Sequence, residues 1–307
     1  MGSPLDSSQF VRLLDTRLRM VTEQTYNELP SMIPTIFGML SSDSAWEEFF
    51  GVGEVPDIPE FTGKISYLPI YPGYHTKIEP KEYAGGVQAE RKLIDDKKYS
   101  VLDNRAAKLM RAAGRTREKH GVRAFANAFS TAYDYMTSEE GVALCSSSHT
   151  TKSGTSTATG FDNSGISALS KTSVAATRIL MKQFRNDISE RIDVGDNLGL
   201  IVPSNLEEAA WEIVNTPKSL DTAEGNANFH AKRYTVIPWM RLDDTDTNNW
   251  FMVDLDRMKE QLKWVDRIKP ETKNTVDFET YILKTAIYMR HAYGWLDWRW
   301  CYGHVVS

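Results

Sequence analysis

The sequence predicts an α+β fold, because helical patterns and strand-rich segments occupy different stretches of its 307 residues. Two amphipathic patterns, at 7–28 and 101–130, indicate long helices in the first half of the chain. In the middle, a short apolar strand at 198–202 alternates with helical segments, which is typical of a sheet covered by helices. The last third is dense in Thr, Tyr, Ile and Phe, the residues that strands favour.

Composition excludes several classes of protein. Apolar residues make up 41% of the chain and charged residues 25%, a balance found in globular proteins rather than in disordered chains or fibres. There is no run of about 18 apolar residues and no secretory signal pattern, so no membrane span is predicted. The two cysteines, Cys145 and Cys301, are too far apart to suggest a disulfide framework or a metal site. We therefore expect a protein that accumulates where it is made, with no cofactor and no membrane partner.

The first 63 residues combine one helix with an irregular segment. The helical pattern at 7–28 ends before Pro30, and 29–63 is punctuated by Pro and Gly, so we expect it to be extended. Trp46 lies in an aromatic cluster within this stretch. The segment is expected to be either an arm that lies on a neighbouring molecule or an irregular wrap over the surface.

Residues 64–99 resemble two long strands with Gly85-Gly86 between or beside them. Their charges are dense and nearly balanced, and few positions could face a core. Because a two-stranded ribbon alone is marginally stable in water, we expect this segment to find its partners on other subunits.

The helix predicted at 101–130 carries the main charge asymmetry of the chain. Between Arg91 and Arg123 there are eleven Lys or Arg and four Asp or Glu, whereas the whole chain has a net charge of −5. Five basic residues recur at spacings of three or four and so share one face beside an apolar stripe. That basic face is either a solvated surface or a surface that neutralises phosphates. Its residues are Arg105, Lys108, Arg111, Arg115 and Lys119, and the stripe is Leu102, Ala106, Leu109 and Ala113.

Further elements are predicted along the rest of the chain. The Ser, Thr and Gly content of 146–165 indicates a flexible loop, and Ser170 caps a helix at 171–187. Segments 234–240 and 250–255 flank a polar turn and are interpreted as a hairpin. Strands are also predicted at 263–268 and within 276–293.

A search for catalytic and metal-binding motifs yields only weak candidates. The six histidines lack zinc-enzyme companions, and no phosphate-binding loop, dinucleotide motif or nucleophile elbow occurs. Residues 244–248 match the opening of a calcium loop, but Asn249 and Leu255 occupy the positions that require Gly and Glu, so a polar turn is favoured. His149 follows three serines, yet a structural histidine is favoured over a catalytic base. We predict no catalytic residue.

An aromatic group near the C-terminus could stack nucleic-acid bases, but core packing or a subunit interface is favoured, since Trp and Tyr are enriched in both. The group consists of Tyr288, Tyr293, Trp295, Trp298, Trp300 and Tyr302.

Several short segments occur in an order that is specific when taken together. They are WEEFFGVGEVPDIPEF (46–61), ERKLIDDKKYSVLD (90–103), ALCSSSH (143–149), ALSKTSVAAT (168–177), LIVPSNLEEAA (200–210), WFMVD (250–254) and GWLDWR (294–299). In this order they resemble the major head subunits of Mu-like tailed phages, a branch of the Hong Kong 97-like capsid family. The resemblance implies an N-terminal arm, an extended β-hairpin loop, a long spine helix, and peripheral and axial domains. The implied bounds are 1–63 for the arm, 64–99 for the extended loop, 100–145 for the spine helix and peripheral domain, 146–262 for the axial domain and 263–307 for the C-terminal peripheral strands.

The resemblance also implies a function. Subunits of this family self-assemble through hexamers and pentamers into an icosahedral shell around phage DNA, so we expect a virion protein that assembles in the host cytoplasm and is not an enzyme. Expected partners are other copies of the chain, packaged DNA bound without sequence preference, and portal, scaffolding or decoration proteins. The basic face is expected to meet DNA, and the loop to contact neighbours through Lys77, Glu79, Lys81, Glu82, Arg91 and Lys92.

Two alternatives remain open from the sequence. An encapsulin-like compartment shell would have the same fold with a protein cargo. A soluble α/β hydrolase or ligand-binding protein that uses the Ser/Thr/Gly loop would instead be a stable monomer with a deep polar pocket.

Overall fold

A computed structural model describes residues 7–217, 227–277 and 279–306, with side-chain burial from Asp15 onward except at Ile94. The helices are α1 (Ser7–Glu28), α2 (Ile33–Ile36), α3 (Arg91–Asp95), α4 (Tyr99–Ala126), α5 (Lys171–Met181), α6 (Glu207–Asn215) and α7 (Leu255–Gln261), with 3₁₀ turns at Ser204–Leu206 and Met240–Asp244. The strands are β1 (Gly38–Ser41), β2 (Glu47–Val52), β3 (Pro72–Ile78), β4 (Lys81–Ala89), β5 (Met136–Ser138), β6 (Ser164–Gly165), β7 (Leu198–Val202), β8 (Tyr234–Pro238), β9 (Trp250–Asp254), β10 (Leu262–Val276), β11 (Leu283–Trp295) and β12 (Cys301–His304). Helices and sheets of this kind confirm the predicted α+β class.

One sheet has five strands in the order β6-β12-β9-β7-β8. Strands β7 and β9 are buried at every position, as expected for central strands that are covered on both faces. Helix α6 connects β7 to its parallel neighbour β8. The hairpin predicted from 234–240 and 250–255 is wrong, because β7 lies between β8 and β9 in the sheet. The 3₁₀ turn Met240–Asp244, which lies between β8 and β9 in the chain, packs against α4.

A second sheet has four strands in the order β1-β10-β11-β4 and supports the long helix α4. β10 and β11 form a long antiparallel hairpin, and β1 runs parallel to the base of β10. The predicted apolar stripe of α4 is confirmed, since Leu102, Ala106 and Ala113 are buried and Leu109 is partly buried. The stripe packs against Ile287 and Met289 of β11.

The remaining sheet contains β2, β3 and β5 and corrects the prediction for 64–99. β3 and β4 do not pair with each other, because β3 pairs with β2 and β5, whereas β4 pairs with β11 of the same chain. The predicted free-standing ribbon is therefore wrong. The low apolar content of β4 reflects its position at a sheet edge, where one side of the strand lacks a partner strand. The projecting hairpin is instead formed by β2 and β3.

Two other segments lie differently from the implied domain scheme. Within 263–307, β12 belongs to the five-stranded sheet rather than to the peripheral strands β10 and β11. Within 1–63, α1 packs along α4, with Leu18 buried and Arg17 bound to Asp103 at 2.7 Å, and β1 is an integral strand. The segment 29–63 is not extended throughout, because α2 forms a helical turn within it.

Two glycines of α4 allow the chain after α1 to cross the helix at close range. A Cβ at Gly114 would lie 2.7 Å from Cδ1 of Leu29, and one at Gly121 would lie 3.3 Å from Cγ1 of Ile33. In the sequence these glycines weaken the predicted helix. In the fold they make room for the segment that joins α1 to β1. No helix among the described residues is both long enough and apolar enough to cross a bilayer.

Candidate assembly hairpin and basic helix face

The hairpin of β2 and β3 is narrow at its outer end. Phe50 pairs with His75 across the two strands, and their rings stack at 5.9 Å. Further out, Gly51 and Gly73 face each other so closely that a Cβ on Gly73 would lie 3.0 Å from Cα of Gly51. Side chains are excluded at that point, so the two strands approach each other before the chain opens into the connecting segment.

That connecting segment, residues 53–71, is called the tip here. It contains no helix or strand, and its large apolar side chains point into solvent, with Ile58 exposed to 89% and Tyr67 to 93%. The other exposed apolar side chains of the tip are Val55, Phe61, Ile65, Ile70 and Tyr71. A concentration of exposed apolar groups of this size is typical of an interaction surface. The loop predicted at 64–99 lies later in the chain than the tip, because no local pattern in the sequence pairs 47–52 with 72–78.

Polar contacts hold the outer part of β3 against the Ser/Thr-rich loop. Glu139 accepts hydrogen bonds from Lys152 at 2.6 Å and from both the backbone N–H and the ring of His75. These bonds, the one from Lys152 foremost, lower the pKa of Glu139 to about 2. The hydroxyl groups of Tyr74 and Thr150 lie 2.8 Å apart. These contacts tether β3, and at the near end of the tip the backbone N–H of Glu54 donates to the carboxylate of Asp187 at 3.3 Å. The large apolar side chains of the tip remain exposed.

His149 has a structural environment. Its ring is buried and stacks on Trp298 with centroids 4.1 Å apart. Nδ1 lies 3.0 Å from Oε1 of Glu140, and Nε2 lies 3.1 Å from Oδ1 of Asn163. The amide nitrogen of Asn163 donates to two backbone carbonyls, which orients its oxygen towards His149. Both ring nitrogens are thus occupied, and no serine hydroxyl within the described ranges bonds to His149, so the structural interpretation is supported.

The basic face of α4 is present as predicted. All five of its side chains are exposed, on the side of the helix away from the apolar stripe. Arg105 donates to the carbonyl of Gln88 at 2.6 Å, whereas the other four make no ion pair with any residue that the structure describes. Whether the face meets phosphates stays a prediction.

The predicted intersubunit residues are mostly engaged within their own chain. Lys77 bonds to Glu79 and lies over Trp46, and Lys81 lies over Tyr135. Among the other predicted residues, Glu82 lies 3.5 Å from Arg290 and Arg91 lies 3.5 Å from Asp95. Lys92 is exposed. These exposed pairs are weak enough to exchange partners, and their role between subunits stays a prediction.

A buried ion pair beneath α4 was not predicted from the sequence. Arg117 donates to both carboxylate oxygens of Asp266, at 2.7 and 3.0 Å, and Trp264 donates to the same carboxylate at 2.9 Å. Arg117 was counted within the basic run, but it lies four residues after Ala113 and so continues the apolar stripe. That spacing is the feature of the sequence that predicts a buried position for the Arg117 side chain.

Two histidines also meet beneath α4. Nδ1 of His120 lies 2.9 Å from Nε2 of His291, and Tyr83 packs against both rings. Burial lowers the pKa of His120 to about 4 and that of His291 to about 2, because the charged imidazolium is poorly solvated there and cations lie near. Both rings are therefore neutral at pH 7.

The other weak candidates have structural roles. Most of the C-terminal aromatic group is buried, with Tyr288 partly exposed, which confirms the prediction of core packing. In the segment that matches the opening of a calcium loop, the carboxylate of Asp246 accepts from the backbone N–H groups of Asn248 and Asn249, so it caps a polar turn. No cluster of three metal-ligating side chains occurs among the described residues.

Comparison with known proteins agrees with this architecture. A family described as phage capsid protein matches residues 74–303, three quarters of the chain. The chain belongs to the phage capsid protein family. No curated protein sequence matches it significantly.

Solved structures of capsids and of a virus-like particle share the fold of this protein over most or all of its chain. The procapsid of bacteriophage JBD30 shows a TM-score of 0.53 at 13% identity and covers 100% of this chain and 77% of that one. The mature capsid of bacteriophage PhiM1 shows a TM-score of 0.58 at 9% identity, with 91% and 88% covered. A virus-like particle from Pyrococcus furiosus shows a TM-score of 0.51 at 10% identity, with 95% and 99% covered. At these identities the structures support the Hong Kong 97-like fold of the capsid protein, and the Mu-like branch stays a prediction.

Proposed function

We propose that this capsid protein is the major head subunit, which self-assembles through hexamers and pentamers into an icosahedral shell enclosing phage DNA. The observation that carries the proposal is the tip of the β2–β3 hairpin, which exposes apolar side chains that its own chain leaves uncovered. A neighbouring copy would cover them. The role is structural rather than catalytic.

The tip is suited to this task by its energetics. Complete burial of one Ile, Phe or Tyr side chain contributes about 1.5–3 kcal/mol, so two or three such anchors supply a contact of moderate strength. Each contact can stay weak, because a closed shell multiplies many of them. The charged side chains at the base of the hairpin would then set register and partner choice more than affinity.

The remaining partners follow from the charge distribution and from the family. The exposed basic face of α4 would lie towards the interior and lessen repulsion from packaged DNA, without reading its sequence. Portal, scaffolding or decoration proteins would contribute to assembly in the host cytoplasm, and the product would be the virion head.

An encapsulin-like compartment remains the second candidate, since the virus-like particle from Pyrococcus furiosus shares the fold. The match to the phage capsid family favours the viral role. Nucleic acid in purified particles would support the phage shell, and a protein cargo would support the compartment.

Shell formation is the direct test of the tip. The variant Ile58→Ser/Phe61→Ser/Tyr67→Ser removes three apolar anchors, each of which is 70% exposed or more. We expect it to unfold at the wild-type temperature and to form no closed shells in electron micrographs, because the intersubunit burial is lost.

A matched control keeps the number of changes and the segment constant. The variant Asp57→Ser/Glu60→Ser/Lys64→Ser alters three exposed polar residues of the same tip and should still close shells. Normal shells from the apolar variant, or equal failure of both variants, would contradict the proposed role of the apolar side chains.

A further inference from the structure

A cleft opens beside the basic face of α4, at the place where the chain after α1 crosses the helix. It has a volume of about 410 Å³, within the range of ligand sites. Leu29, Ile33 and Met39 form its apolar wall, and Gly114 of α4 lies at its floor. The opposite side is formed by the 3₁₀ turn Met240–Asp244 and by β10, so elements of both large sheets border it.

The two carboxylates in the cleft are already engaged. Asp266 is bound by Arg117 and Trp264, as described above, and is 4% exposed. Glu118 accepts from the hydroxyl group of Ser31 at 2.5 Å and from the backbone N–H of Met32 at 3.1 Å. Asp266 is thus balanced by Arg117, whereas Glu118 is held by neutral donors and its charge offsets one of the other cations that line the cleft.

Four other cations line the cleft without an ion-pair partner among the described residues. Arg111 and Arg115 come from α4, Arg241 from the 3₁₀ turn, and Lys269 from β10. Within the ranges that the structure describes, none of them lies within 4.0 Å of a carboxylate. An excess of positive charge therefore converges on one cleft, at side chains that are exposed or partly exposed and so accessible to an anion.

We infer that this cleft binds a phosphodiester group of the nucleic-acid backbone. Guanidinium groups match the oxygen pairs of phosphate with two parallel hydrogen bonds, and three of the four cations are arginines. The inference rests on the proposed DNA-enclosing function and deepens it, because it replaces a diffuse basic surface with one site. Arg241 and Lys269 join the site although they lie far from α4 in sequence.

The test compares DNA binding by three double variants of the full-length chain, kept below its assembly concentration. The cleft variant is Arg241→Gln/Lys269→Gln, and the helix variant is Lys108→Gln/Lys119→Gln, on the basic face outside the cleft. The charge-matched control is Lys232→Gln/Lys273→Gln, at exposed positions elsewhere. The probe is a short labelled DNA duplex, and its affinity is measured by fluorescence anisotropy from about 50 to 200 mM salt.

We expect the cleft variant to bind at least about tenfold more weakly at low salt, and the magnitude of its salt slope to fall by about 1, since the contact with one phosphate is lost. The control should bind like the wild type. Unfolding temperatures of all variants should agree, because the substituted side chains make no ion pair in the described structure.

Four outcomes would overturn the inference. If only the helix variant weakens binding, the cleft is not the site but the DNA-facing helix stands. If neither variant weakens binding, the cleft and the DNA-facing helix both fail. Equal weakening by the cleft variant and the control would show that net charge alone acts, and competition by polyglutamate as strong as that by DNA would assign the cleft to carboxylates instead.

Discussion

Arg117 and Asp266 show how one buried pair joins the long helix to the sheet beneath it. Each is about 5% exposed or less, and their two hydrogen bonds are supplemented by one from Trp264. A charge buried in this way is stable only while its partner remains, because desolvation is otherwise uncompensated.

Asp266→Asn should therefore destabilise the subunit strongly. It leaves the guanidinium of Arg117 buried without a counter-charge, and we expect the free energy of unfolding to fall by about 3–5 kcal/mol in urea titrations. Asp95→Asn, which breaks the exposed pair with Arg91, should cost less than about 1 kcal/mol. Similar costs for the two substitutions would show that burial does not govern the pair.

His120 and His291 predict an acid-sensitive stability. Their pKa values in the fold, about 4 and about 2, lie below the value of about 6.5 expected in the unfolded chain. The stability that the neutral rings provide is therefore complete above about pH 6.5 and is lost as the pH falls towards 4. The slope is at most about 1.4 kcal/mol per pH unit for each histidine.

This acid sensitivity is measured by urea unfolding between pH 4.5 and 7. The variant His120→Gln/His291→Gln should show a flatter pH dependence than the wild type, while the carboxylates contribute equally to both. An unchanged pH dependence in the variant would remove the histidines from the explanation.

At the residue scale, much of this interior could be predicted from spacing. The apolar stripe and the basic face of α4 lie where the helical period places them, and continuing the stripe by one turn reaches Arg117. Its partner could not be predicted, because Asp266 is 149 positions away and no local pattern links the two.

Among the elements, β1 leaves the least room for a larger side chain, at Gly38. It lies beside β10 and against α7, and a Cβ on Gly38 would come within 2.0 Å of the backbone carbonyl oxygen of Lys259. Backbone atoms cannot rotate away as a side chain can, so β1 would have to move.

Gly38→Ala should lower the unfolding temperature markedly, with a loss of about 1–3 kcal/mol, as for other overpacked sites. Gly85→Ala in β4 is the matched control, since a Cβ there meets nothing within 4 Å. That substitution should be neutral or slightly stabilising, because alanine restricts the unfolded chain. Calorimetry of the two variants checks the difference, and equal unfolding temperatures would argue against the close approach of β1 and α7.

Local elements were predicted more accurately than their pairing. Ser170 caps α5 as expected, and its hydroxyl accepts from the backbone N–H of Ser173. The strand at 198–202 was correct in its bounds. By contrast, β4 was assigned to a ribbon with β3, because an edge strand and an isolated ribbon share the same low apolar content.

For the whole molecule, the sequence predicted the α+β class and, through ordered short segments, the capsid family. The strand order and the position of the projecting hairpin could not be predicted, because they depend on contacts between distant parts of the chain. β12 illustrates this limit, since its four residues join a sheet whose other strands precede the long β10–β11 hairpin.

The parallel pairing of β1 with β10 also sets the timing of folding during synthesis. Gly38 is synthesised early but can pair only after Lys263 has been synthesised. In the same way, β4 can pair only after β11 has been synthesised. A nascent chain therefore exposes the apolar tip of its β2–β3 hairpin before the four-stranded sheet is complete. The sheet that completes the subunit can therefore form only when translation is nearly finished.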